Sequence, residues 1–96
     1  MNLQNKKVLV MGLGLIWGGI DIVKWLNRNK VKIIVTDLKR KRELRTSIEK
    51  IKGIPVKFIL GRHRKSEFQN VGLIIKKPSI SENSLYLKNA GEKYTN

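Results

Sequence analysis

Four short stretches hold the residue types that could do chemistry. The first is VLVMGLGLIWGGI, residues 8–20. Gly12 and Gly14 stand at the first two positions of a G-x-G-x-x-G turn. In such a turn glycine lets backbone N–H groups approach a phosphate at a helix N-terminus, here through Leu15 and Ile16. The third glycine position holds Trp17, and Gly18 and Gly19 follow one and two places late. An indole there crowds the helix against the strand, so the stretch reads as a damaged cradle that Trp17→Gly would repair.

The second stretch is Thr36-Asp37-Leu38-Lys39. An acid that ends a second strand about twenty residues past the glycines suits a ribose hydroxyl or a base N–H. Asp37 could equally cap the helix after it. Lys39-Arg40-Lys41-Arg42 reads first as a solvated basic face and otherwise as a grip on phosphate. The third stretch is Gly61-Arg62-His63-Arg64, with the only histidine of the chain. Between arginines His63 reads as exposed and neutral rather than as a base. The fourth is Lys76-Lys77-Pro78-Ser79. Cysteine is absent, which excludes disulfides, thiolate catalysis and cysteine-ligated metals. No metal site is expected.

The elements that must position these residues follow from the hydrophobic pattern. Apolar runs at 7–11, 31–36, 56–60 and 73–75 read as buried strands. Ile16, Ile20, Val23 and Leu26 recur at helical spacing, so a helix is expected over 16–28, with Asn29 closing it and Trp25 in the core. A basic helix over 39–52 should turn Leu44, Ile48 and Ile51 inward before Gly53 and Pro55 break it. Residues 62–70 read as a polar loop or short helix, 83–90 as a last helix, and 92–96 as a frayed tail. Strands alternating with helices, apolar on both faces, indicate an α/β fold with a Rossmann-like parallel sheet. Right-handed crossovers then give about four strands in order 3-2-1-4, with helices on both faces and no fifth strand. In that order the loops after the first, second and fourth strands converge at the carboxyl edge, where such sheets bind ligands.

The 96 residues suffice for one domain, expected over 1–91. A formal charge of +14 favours anionic partners, among them phosphorylated small molecules and nucleic acid. Lys6-Lys7 before an apolar run imitates a signal peptide, but the run is too short to span a bilayer and no small-x-small site follows. A cytoplasmic protein without a membrane span is expected.

MNLQNKKVLVMGLGL, VTDLK, IKGIPVKFILG with Arg62-His63, LIIKKPS and SLYLKNA together resemble the N-terminal domain of the bacterial Mur ligases, in their D-glutamate-adding branch. The resemblance runs through nearly the whole chain in order. It implies a Rossmann-like domain for the uridine diphosphate end of UDP-N-acetylmuramoyl-L-alanine or another UDP-linked ligand. Carried over, Gly12, Gly14, Leu15, Ile16, Asp37, Leu38 and Lys39 would hold the nucleotide, and Pro78-Ser79 would close over the uridine. The full-length family enzymes use ATP and magnesium to activate the substrate carboxylate as an acyl phosphate, which the amine of D-glutamate then attacks. The chain stops before the G-K-S/T loop that would hold ATP, so no cofactor is expected here, and a fragment unable to ligate alone is implied. Its departures are Trp17 and Lys30 where the family has glycine, Gly72 for an acid, and Lys77 for serine or asparagine. Two other readings remain open at this point. One is an NAD(P)-binding module, with Asp37 on a ribose and Lys39 and Arg40 near a 2′-phosphate. The other is a basic nucleic-acid-binding protein, which has charge in its favour but only 6% aromatic residues and no reader motif.

Overall fold

The computed structural model describes residues 5–13, 18–76 and 94–95. Strand β1 (Lys7–Met11) leads to helix α1 (Gly19–Arg28), and β2 (Lys32–Asp37) to α2 (Arg45–Glu49). Strand β3 (Val56–Leu60), helix α3 (Lys65–Gln69), strand β4 (Leu73–Lys76) and strand β5 (Tyr94–Thr95) follow. All the strand pairs are parallel, in sheet order β3-β2-β1-β4-β5.

The expected order 3-2-1-4 is present, with β1 and β2 each flanked on both sides. It arises because each central strand is a continuous apolar run with two faces to bury. Val8, Val10, Ile33, Val35 and Ile75 pack on one face with Ile20, Val23 and Leu26 of α1 and with Ile51. Leu9, Met11, Ile34, Ile59 and Ile74 pack on the other with Phe68 and Val71. The period-two alternation of side chains along each strand divides the core in this way.

The four expected strands stand; the expectation that no fifth follows them, and that Tyr94 and Thr95 are frayed, is corrected. Tyr94 pairs with Ile74 and Thr95 with Ile75, so a fifth strand covers the outer edge of β4. An unpaired edge is a row of unused N–H and C=O groups, and a short strand of any composition satisfies it.

Helix α1 starts at Gly19; the expected start at 16 lies outside the described residues. Gly18 precedes it at φ 92, a left-handed conformation that glycine adopts at little cost. Asp21 in the first turn and Arg28 in the last complement the helix dipole. At its other end the left-handed residue is Lys30 at φ 57, while Asn29 has φ −95. The Lys30 N–H donates to the Asn27 carbonyl and the Val31 N–H to that of Leu26. This is a Schellman ending built without its usual glycine. Trp25 lies off the inward stripe of α1 and is 46% exposed, contrary to the core position expected.

The basic helix expected over 39–52 is corrected to five residues, Arg45–Glu49. The backbone before it has other acceptors. The Lys39 N–H donates to Asp37 Oδ1 at 2.9 Å and the Arg40 N–H to Glu43 Oε1 at 3.1 Å. Such side-chain bonds compete with helical ones, and four adjacent cations gain nothing from winding together. Leu44 and Ile51 are nonetheless buried, and Ile48 packs against the core.

Candidate functional site

The carboxyl ends of β1, β2 and β3 meet around Asp37. Strand β1 runs out at Met11, and Gly12 turns the chain at φ 95. The Gly12 N–H donates to the Thr36 carbonyl at 2.7 Å. The next N–H, of Leu13, donates to Asp37 Oδ2 at 2.9 Å. Asp37 therefore brackets two loops. One carboxylate oxygen holds the glycine turn after β1, and the other holds the Lys39 N–H in the turn after β2. The second contact is an Asx turn, the local arrangement Asp favours where a strand ends. The loop after β3 is tied in as well. The Gly61 N–H donates to the carbonyls of Asp37 and Lys39, both at 2.9 Å.

Beneath this bracket lies a polar pair inside the sheet layer. Thr36 is buried, and its hydroxyl donates to the Arg62 carbonyl at 3.2 Å. Its oxygen also lies 2.7 Å from His63 Nδ1. A hydroxyl has one proton. With that proton on Arg62, His63 Nδ1–H is the donor of the shorter bond. The ring meets Phe68 edge-on with centroids 5.8 Å apart. Burial pushes the His63 pKa below its ordinary 6.5, against a smaller upward pull from the Asp37 charge. His63 is thus neutral, as expected, but half-buried rather than exposed between its arginines.

Leu38 is 65% exposed, an apolar side chain on the rim directly beside Asp37. Lys39 is exposed next to it, as are Arg40, Lys41 and Arg42. Gly12, Asp37, Leu38 and Lys39 are thereby brought to one edge. Gly14, Leu15, Ile16 and Trp17 of the first loop, and Lys77, Pro78 and Ser79 after β4, lie outside the described residues. Sequence spacing alone does not mark Thr36, the Leu13 N–H and His63 as a set. The signal was present in the strand order, which sets the residues just past β3 beside the end of β2.

A family model for the N-terminal domain of MurD-like Mur ligases matches residues 6–96. The chain belongs to this family. Its curated relatives carry the name UDP-N-acetylmuramoylalanine–D-glutamate ligase. That of Roseiflexus sp. (strain RS-1) is 37% identical over 92% of this chain. Those of Thermoanaerobacter sp. (strain X514) and Borreliella burgdorferi (strain ZS7) are 38% and 34% identical over 97% and 90% of it. The chain spans about a fifth of their length, 19–20%. Among solved structures, the PH0520 protein of Pyrococcus horikoshii OT3 superposes with a TM-score of 0.62 at 18% identity, covering 98% of this chain and 27% of that one. The precorrin-2 dehydrogenase SirC gives 0.66 at 17% identity, over 98% and 45%. At such identity these two establish the Rossmann-like fold alone.

The sequence contains no G-x-x-x-x-G-K-S/T, and no three His, Cys, Asp or Glu gather among the described residues. No described helix is long and apolar enough to cross a membrane.

Proposed function

We propose that this MurD-like domain binds the uridine diphosphate end of UDP-N-acetylmuramoyl-L-alanine and is not competent for ligation by itself. The observation that carries the reading is the Asp37 bracket. It fixes the glycine turn and the Thr36–Lys39 turn in one rigid edge, and leaves Leu38 exposed upon it. A planar base needs an apolar surface beside polar groups of fixed direction. Leu38 supplies the first, and the Asp37 carboxylate, with lone pairs to spare beyond its two backbone bonds, supplies the second. By the family resemblance, Leu15 and Ile16 would hold the uracil with Asp37 and Leu38, and Pro78-Ser79 would close over the uridine. The names of the relatives support the substrate class.

The direct test is calorimetric titration of the 96-residue chain with UDP-N-acetylmuramoyl-L-alanine and, separately, with NADH and NADPH. Saturable binding of the UDP-sugar, competed by uridine, is expected. Tighter binding of a nicotinamide dinucleotide would overturn the proposal.

A further inference from the structure

The carboxyl edge holds one side chain that the site as described leaves unexplained. Lys76 ends β4 and is only 2% exposed. Among the described residues no carboxylate, hydroxyl or carbonyl accepts a bond from its ammonium, and it is in no ion pair. Register places it beside Met11, which in turn lies beside Thr36. By strand alternation Lys76 shares the face of Ile74, as Thr36 shares that of Ile34. Lys76, Met11 and Thr36 thus form one row across the sheet, on the face that α3 covers. A buried cation with no anion beside it among the described residues is costly to keep.

The glycine turn sharpens the point. Its two described N–H donors are already committed, Gly12 to the Thr36 carbonyl and Leu13 to Asp37. Neither is left for a phosphate. We propose that Lys76 is an anion-binding residue that takes the diphosphate of the uridine nucleotide. This rests on the uridine-diphosphate reading above. The spacing agrees with it. Asp37 and Lys76 end strands two places apart, and neighbouring strands are about 4.8 Å apart, so their ends are separated by roughly 10 Å. A nucleoside diphosphate is long enough to reach from its base at β2 to its phosphates at β4. A bound diphosphate would give the ammonium a charged partner.

Uridine and UDP are titrated into the wild-type chain and into Lys76→Met, and each protein is melted. UDP should bind wild type more tightly than uridine does. Lys76→Met should erase that advantage, with UDP affinity falling at least about tenfold and uridine affinity staying within about twofold. Its melting temperature should hold or rise, because a buried amine with no partner among the described residues is removed. Lys76→Arg should keep part of the UDP advantage. Unchanged UDP binding overturns the proposal. So does a variant that loses both ligands and melts lower, since the lysine is then structural. Should Lys76→Met fail to fold, 13C-labelled lysine in the wild type decides: the Lys76 Cε resonance must move with UDP and not with uridine. If wild type binds neither compound, the uridine reading has failed, and inorganic pyrophosphate tests the lysine alone. Saturable pyrophosphate binding that Lys76→Met abolishes keeps the anion site; its absence ends it.

Discussion

Asp37 acts first on its own backbone. Leu13 is buried, and its N–H has the Asp37 carboxylate as acceptor. Asp37→Ala leaves that donor unsatisfied, which costs about 1–3 kcal/mol. Asp37→Asn keeps one carbonyl oxygen and should lose less. Urea melts of the three proteins check this, and equal stability of Asp37→Ala and wild type would remove the bracket from the account. His63 carries a pH dependence. Desolvation holds its pKa below the ordinary 6.5 in the folded state. Below that value the unfolded chain therefore binds more protons than the folded one, and stability falls with pH. The contribution is complete above about pH 6.5 and is lost as pH drops through the folded pKa. The window just below about pH 6.5 is where the histidine acts. Melting temperature should decline across that window in wild type and decline less in His63→Gln.

The end of α1 is where one element departs from its best sequence. Lys30 occupies a left-handed position, at φ 57, inside a Schellman ending. A side chain there crowds its own backbone, and glycine relieves the crowding while giving back some unfolded-state entropy. Lys30→Gly should stabilise the chain by about 0.5–1 kcal/mol. Replacing Lys24, on the exposed face of the same helix, should change little. Chemical denaturation of both variants separates backbone strain from simple loss of a charge. A Lys30→Gly protein less stable than wild type would show that the side chain has a favourable role outweighing the strain.

For the molecule as a whole, charge dominates. A formal +14 on 96 residues must attract polyanions. Lys41, Arg42 and Arg45 gather part of it around a surface groove with Ile48 and Glu49. Binding to DNA or RNA should be sequence-blind and should weaken steeply as salt rises, because counterions are released on association. Gel-shift or anisotropy series at several salt concentrations measure it. Sequence discrimination that survives high salt would favour a nucleic-acid function instead. The 96 residues carry no ATP loop. Pure protein mixed with ATP, magnesium, UDP-N-acetylmuramoyl-L-alanine and D-glutamate should release no ADP, and release dependent on both substrates would refute the proposal that the chain is not competent for ligation by itself.

The parts of this architecture that were legible beforehand are those set by local periodicity. A strand that reads apolar at every position, such as Val8 to Val10 or Ile33 to Val35, has to be buried on both faces. Burial of that kind, with right-handed crossovers, leaves few sheet orders to choose from. Gly12 and Asp37 were visible too, as a turn residue and an acid at a fixed spacing. Tertiary structure decided what depends on distant chain ends converging. It directed the Asp37 oxygens to Leu13 and Lys39, buried His63 against Thr36 and Phe68, and paired Tyr94 and Thr95 with β4. It also shortened the basic helix, because acceptors on Asp37 and Glu43 outcompeted helical bonds. Above all it enclosed Lys76, whose type alone argues for the surface. Periodicity records which face of an element is apolar; whether a polar group on that face meets a partner is settled only when the loops fold over it.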